Sequence, residues 1–195
     1  MKAQSRVDFR RLGLRDLQAI ETIERASYPT PWSRSMFAGE LAKPPSICLG
    51  GFDPESGELM GYMVISRYVD AWHVMNIAVA SEHRRKGVAT SLLGRLFELT
   101  AGEGRRGYTL EVRVSNEGAI ALYEQLGFKG RGIRRGYYTD NREDALIMWR
   151  DPGAGAGPRI VAGARALHLR RPGRGAARGP APPGARDGRA TSRCG

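Results

Sequence analysis

Cysteine is nearly absent from this chain of 195 residues: there are two, Cys48 and Cys194. One falls in a predicted strand and the other near the end of a biased tail, so no structural disulfide is expected. Cys48 has no evident basic partner and reads as a small core hydrophobe rather than a nucleophile. The three histidines, His73, His83 and His168, make no ligand spacing with the cysteines, and no metal is expected. No apolar run approaches the roughly 20 residues needed to span a bilayer. The N-terminus lacks an apolar signal core, and no internal repeat is present. These absences point to a soluble, reduced, cytoplasmic protein with no membrane partner.

Acidic residues are also in deficit, with 20 against 31 lysines and arginines, for a net charge of +11. The excess is uneven. Residues 151–195 hold nine arginines, two aspartates and no lysine, and 26 of these 45 residues are Gly, Ala or Pro. This segment has no aromatic residue, and its large aliphatics (Ile160, Val161, Leu167, Leu169) are scattered. It cannot bury enough apolar surface to offset the entropy of ordering it, and disorder is expected. The chain therefore divides into a domain over 1–150 and a tail over 151–195. An arginine-rich tail invites weak RNA or ribosome contact. It has no aromatic side chains on which bases could stack, and a solvated extension is the preferred reading.

What remains is patterned. Val7–Leu12 reads as a strand. Leu14, Leu17, Ile20 and Ile23 give a helix over 14–27, ended by Pro29 and Pro31. Ser33 caps a second helix, ended by Pro44 and Pro45. Ser46–Phe52, Leu59–Tyr68 and Trp72–Ala80 are predicted strands, followed by a helix over 87–101. Tyr108–Val114 is a strand, Asn116 caps a helix over 117–126 that Gly127 closes, and Phe128–Ile133 and Ala145–Arg150 are the last strands. The order β-α-α-β-β-β-α-β-α-β-β implies an α/β (α+β) domain with a sheet of mixed direction.

Two stretches carry chemistry. Between the strand ending at Ala80 and the helix 87–101 lies Glu82-His83-Arg84-Arg85-Lys86-Gly87. The first amides of a helix lack internal partners and favour anions. Gly87 permits close backbone approach, and Arg84, Arg85 and Lys86 add positive charge. A diphosphate-bearing ligand fits such a turn. The second stretch is the strand Leu110-Glu111-Val112-Arg113. Glu111 is a carboxylate in a strand that otherwise reads as buried. Such a group must be paired or shift its pKa upward, and a carboxylate near neutrality suits a general base. Pairing with Arg113 or exposure at an edge are the alternatives. Tyr123, on the following helix, reads from periodicity as a core tyrosine.

These residues resemble the GNAT N-acetyltransferases. The motifs are Asn76-Ile77-Ala78-Val79, Arg84-x-x-Gly87-x-Ala89, Leu110-Glu111-Val112-Arg113-x-Ser115-Asn116, Ala121-Leu122-Tyr123-Glu124-x-Leu126-Gly127-Phe128 and Arg134-Arg135-x-Tyr137-Tyr138. They stand in that order, together with Pro31-Trp32-Ser33 and Glu143-Asp144-Ala145. In this order they look like the RimI branch, bacterial enzymes that acetylate the N-terminal alanine of a ribosomal protein. The resemblance spans about residues 6 to 150. It implies a GNAT fold with acetyl-CoA as cosubstrate and a ribosomal-protein N-terminus as acceptor.

It also implies roles. Glu111 matches the general base and Tyr123 the general acid on the coenzyme A sulfur. The backbone of Ile77, Ala78 and Val79 would pair with the pantetheine arm. The segment Arg84, Arg85, Lys86, Gly87, Val88, Ala89 and Thr90 would hold the pyrophosphate, and Asn116 would touch the cosubstrate. Tyr137, Tyr138 and Trp32 would recognise the acceptor. His73 is a minor alternative base, and His83 reads as solvated. The competing readings are a GNAT enzyme acting on a lysine or small-molecule amine, and an acetyl-CoA-sensing module whose tail contacts RNA.

Overall fold

The computed structural model describes residues 6–103 and 106–154. Seven strands form one sheet in the order β1-β2-β3-β4-β5-β7-β6. They are β1 (Asp8–Arg11), β2 (Ser46–Phe52), β3 (Leu59–Tyr68), β4 (Ala71–Val79), β5 (Gly107–Arg113), β6 (Lys129–Tyr138) and β7 (Glu143–Arg150). Four helices, α1 (Leu17–Ser27), α2 (Arg34–Ala42), α3 (Val88–Leu99) and α4 (Glu117–Gln125), flank it. The expected element order holds, and this is the α+β sheet of mixed direction that the sequence implies. Leu17, Ile20 and Ile23 of α1 and Phe37 of α2 pack on one face. Val88, Leu92, Leu93 and Leu96 of α3 and Tyr123 of α4 pack on the other.

One contact in the sheet decides where chemistry can occur. Every neighbouring pair is antiparallel except β4 and β5, which run parallel from Ala71 opposite Gly107 to Val74 opposite Leu110. The ladder stops there, although β4 continues to Val79 and β5 to Arg113. The cause is a β-bulge. Ile65 of β3 faces Val74 and Val64 faces Asn76, so Met75 is an extra residue with no Cα partner. A bulge bends its strand and raises the local twist. It also reverses the alternation of faces: Trp72 and Val74 point into the α3/α4 core, yet beyond the bulge Ile77 and Val79 do so. Asn76 and Ala78 turn to the α1/α2 side. The strands thus part into a fork with β4 on one side and β5 on the other.

Two elements differ from expectation. The first turn of the helix expected over 14–27 is a 3₁₀ turn, Leu14–Asp16, with the α-helix beginning at Leu17. There the Asp16 carboxylate accepts the Gly13 N–H at 2.8 Å and pairs with Arg10 at 2.7 Å. The strand expected to end at Ile133 continues to Tyr138. It bends at a wide bulge: Arg134 faces Ala145, and the next partnered residue is Tyr138, facing Glu143. Gly136, at φ +56°, allows the bend, and the Asp144 carboxylate replaces the lost ladder by accepting the Gly136 N–H at 2.8 Å. The expected disorder of the tail, and Cys194 and His168, fall beyond residue 154 and lie outside the described residues.

Candidate active site

Glu111 lies on β5 at the mouth of the fork, and its side chain is mostly covered. His73 of β4, two residues before the bulge, places Nε2 3.1 Å from Glu111 Oε2. Arg134 of β6 donates from Nη1 to Oε1 at 3.1 Å. This excludes one alternative and corrects one expectation. Arg113 is not the partner of Glu111: it reaches Asp140 at 2.8 Å and Glu143 at 3.0 Å and stacks over the Tyr138 ring at 3.9 Å. Nor does the Glu111 carboxyl move toward neutrality. Burial pushes it up, but the His73 hydrogen bond and the charges of His73 and Arg134 outweigh burial and hold it below the ordinary carboxylate value. Glu111 therefore stays anionic at neutral pH.

Two tyrosines lie near this carboxylate, and a third, Tyr123, lies near one of them. Tyr137 and Tyr138 stand edge to face with centroids 5.1 Å apart. Burial raises the Tyr137 phenol, and the charge of Glu111 raises it further. Burial and Tyr137 push Tyr138 up to about 12. Tyr123 projects from α4, buried against Phe128, and burial followed by the proximity of Tyr138 raises its phenol. The other buried tyrosines have committed hydroxyls: Tyr28 on Ile77 O, Tyr62 on Glu24 and Tyr108 with Thr100. Among the described residues the Tyr123 hydroxyl has no such bond, and it remains protonated at neutral pH.

The opposite side of the fork is the free edge of β4. Ala80 N–H bonds Met60 O at 2.9 Å, so by strand alternation the backbone groups of Ala78 also face β3, while those of Ile77 and Val79 face the opening. The Ile77 carbonyl accepts from Tyr28 Oη at 2.5 Å, and the Val79 carbonyl from Arg84 Nε at 3.0 Å. A carbonyl has a second lone pair, and the amides of Ile77 and Val79 also lie on this edge, so an extended ligand with its own amides fits here.

Past β4 the backbone makes a 3₁₀ turn, Ser81–His83, then takes left-handed conformations at Arg85 (φ +63°) and Gly87 (φ +84°). Such turns bring successive N–H groups to one side, an anion-holding arrangement. The first backbone bond of α3 runs from Ser91 N–H to Gly87 O at 2.9 Å, and Gly87 supplies no side-chain cap. The amides of Val88, Ala89 and Thr90 thus have no intrahelical partner. Arg85 and Lys86 are exposed beside them. Arg84 is turned the other way, with Nη2 on Ser27 Oγ at 3.0 Å.

Two further expected residues have settled positions. Asn116 caps α4, its Oδ1 accepting Ala119 N–H at 3.1 Å. Trp32 lies in the α1–α2 loop, its ring on Phe37 at 5.3 Å and its N–H on Glu24 Oε1 at 2.8 Å. Among the described residues no hydrogen bond or ring contact joins it to Tyr137 or Tyr138. Cys48 is buried, and burial pushes its thiol up to about 12. Among the described residues no cluster of His, Cys, Asp and Glu could hold a metal, and no helix is long and apolar enough to cross a membrane.

Residues 17–128 match the acetyltransferase (GNAT) family. A Bacillus subtilis (strain 168) relative is 38% identical over 149 residues, covering 76% of this chain and 97% of its own. The ribosomal protein bS18-alanine N-acetyltransferase of Escherichia coli (strain K12) is 38% identical over 135 residues, 68% of this chain and 89% of that one. The crystal structure of the ribosomal-protein-S18-alanine N-acetyltransferase from Escherichia coli superposes with a TM-score of 0.69 at 34% identity, over 79% of this chain and 99% of that chain. The chain belongs to the GNAT acetyltransferase family, as an acetyl-CoA-dependent N-acetyltransferase closely related to the bacterial bS18-alanine enzymes.

Proposed function

We propose that this enzyme acetylates the N-terminal amine of a ribosomal protein, with the alanine end of bS18 as its acceptor. The observation that carries this reading is the fork itself. A half-buried anion, Glu111, faces the paired rings of Tyr137 and Tyr138 on one side, with the free β4 edge on the other. An N-terminal ammonium suits this site: Glu111 offers it a counter-charge and the two rings offer it π faces. A short, small residue such as alanine leaves the amine free to approach the fork.

Acetyl-CoA supplies the thioester-bound acetyl group. The open amides and second lone pairs of Ile77 and Val79 hold its pantetheine arm. The amides from Arg85 to Thr90, with Arg85 and Lys86, hold its pyrophosphate, and Asn116 touches it through the amide nitrogen that capping leaves spare. An amide on the β4 edge faces the thioester carbonyl and stabilises the oxygen as charge builds there.

An α-amine has a reference pKa of about 7.7–8.0, so a substantial fraction is free near neutrality. Glu111 is too weak a base to strip an ammonium alone. The His73 imidazole, with Nε2 3.1 Å from Glu111 Oε2, can take up and pass on a proton, and the Glu111 anion is its counter-charge. His73 and Glu111 thus act as one proton-accepting unit, directly or through water. The amine nitrogen bonds to the acetyl carbon, the carbon–sulfur bond breaks, and the sulfur takes a proton. Tyr123 supplies that proton. A phenol at about 10 is a weaker acid than a thiol at about 8.5, so the transfer costs about 2 kcal/mol on reference values. Tyr123 therefore helps most by hydrogen-bonding the sulfur as it leaves. No acyl-enzyme is needed: Cys48 is buried with its thiol held protonated.

Mass spectrometry of acetyl transfer tests this. The acceptors are the N-terminal peptide of bS18, variants of its first residue, and each peptide with an internal lysine. Acetyl on the α-amine of the alanine peptide is expected. Acetyl on lysine alone, or transfer only to polyamines or free amino acids, rejects the acceptor named here.

A further inference from the structure

Glu24 sits in the third turn of α1 and is 1% exposed. A carboxylate taken out of water is costly unless every lone pair finds a donor. Here each one does, and all the donors are neutral. Oε1 accepts the backbone N–H of Trp32 at 2.8 Å and the Asn76 amide at 3.1 Å. Oε2 accepts the Tyr62 hydroxyl and, at 3.3 Å, the Asn76 amide again. An apolar side chain would fill this space at lower cost. What the carboxylate adds is directional: it joins three segments that are far apart in sequence at one point.

Those segments are parts of the site. Asn76 is the residue after the bulge that opens the fork. Trp32 belongs to the loop between α1 and α2, which also carries Tyr28, bonded to the Ile77 carbonyl. Resting on the cosubstrate edge assigned above and on the acceptor role that the family resemblance implies for Trp32, we infer that Glu24 is a positioning residue. It fixes the α1–α2 loop against the bulge of β4, and so sets the distance between the acceptor and the cosubstrate edge.

The chemistry of the network supplies its own test. Glu24→Gln puts an NH₂ where only donors point. Tyr62 can turn its hydroxyl away, whereas Asn76 meets the NH₂ only by turning its amide over, which withdraws its donation to the remaining oxygen. Adding Asn76→Asp reverses the pair. The new glutamine amide then donates to the new aspartate carboxylate, while its oxygen still accepts Trp32 N–H. Tyr62 donates to the same carboxylate. Wild type, Glu24→Gln and the double variant, all full length, are compared by hydrogen exchange, thermal melting and steady-state kinetics with an alanine-initiated peptide.

Glu24→Gln should speed exchange at Trp32 and at the β3-facing amides of Asn76 and Ala78 and raise KM for the peptide about tenfold, with a smaller fall in kcat. The double variant should restore exchange and KM. A drop in Tm with exchange and KM unchanged overturns the inference, as does a folded double variant no better than Glu24→Gln. If Glu24→Gln does not fold, recovery of folding together with wild-type KM in the double variant supports it, and a folded double variant with raised KM overturns it. If wild type acetylates no N-terminal amine, the acceptor assignment falls. Exchange at Trp32 and Asn76 then decides the network separately: protection lost and regained supports it, and protection unchanged in Glu24→Gln overturns it.

Discussion

On the β4 side of the fork, the buried carboxylate of Glu24 meets only neutral donors, and Tyr28 reaches the Ile77 carbonyl with a hydroxyl. On the β5 side, Glu111, Asp140, Glu143 and Asp144 each meet an arginine, with His73 added at Glu111. The contrast follows from solvent. Behind β4 the bonds lie in the core, where a low dielectric strengthens them and ions of the medium do not reach. Across β5, β6 and β7 the pairs are partly wet, so each is individually weak and sensitive to salt and pH. In the proposed reaction the first wall is a fixed reference for the cosubstrate, and the second is a charged surface turned to the acceptor.

Removing the charge at the centre of the β5 wall should have the largest effect. Glu111→Gln keeps the size of the side chain but removes the anion that faces the His73 imidazole and the Arg134 guanidinium. A loss of about 10²–10³-fold in kcat/KM at neutral pH is expected from rates of coenzyme A release. Wild-type turnover would remove Glu111 from the mechanism and leave the wall as a purely structural ion-pair array.

A smaller effect is expected at Tyr123 on α4. Tyr123→Phe leaves the α4 packing intact and removes one hydroxyl. The rate should fall about 10- to 100-fold, with acetyl-CoA affinity by calorimetry unchanged. A variant as fast as wild type would mean that water protonates the sulfur.

The smallest effect sharpens the contrast in pH response. The Ser115 and Asn141 hydrogen bonds and Arg113 hold the Glu143 carboxyl down at about 2, from the ordinary 4.5. A depressed carboxylate stabilises the fold above its unfolded pKa and loses that contribution as pH falls through the folded value. The gap in Tm between wild type and Glu143→Gln should therefore be full at pH 6 and close between about pH 4.5 and 2. A gap that persists at pH 2 would show that Glu143 acts by shape rather than by charge.

The elements are legible because their signals are local. β2 and β3 run over the residues read from the sequence, Ser46–Phe52 and Leu59–Tyr68, since an Asp-Pro-Glu-Ser-Gly turn separates two runs of strand formers. Ser33 and Asn116 cap α2 and α4 as read, because a cap needs only a side chain three residues from an amide. β6 reads too short because Arg134, Arg135 and Gly136 break the pattern after Ile133, and the strand character beyond it comes from pairing with β7. His73 ranks low in the sequence for a related reason: what makes it matter is Glu111, which only the parallel β4–β5 contact brings beside it. The upward shift expected at Glu111 fails because its two partners, His73 and Arg134, come from other strands.

The sequence by itself determined the domain's elements and their order, the turn before α3 and the family motifs, all of which depend on neighbours along the chain. Tertiary structure alone decided the charge state of Glu111, the reversal of faces at Met75 and the burial of Glu24. In a helix reading Ile-Glu-Arg-Ala, Glu24 looks like any solvated residue. It becomes a four-contact acceptor only when β3 supplies Tyr62, β4 supplies Asn76 and the loop turns the Trp32 amide back toward α1. Electrostatics and burial sum over neighbours in space, and those neighbours are set by which strands pair and where the ladder ends.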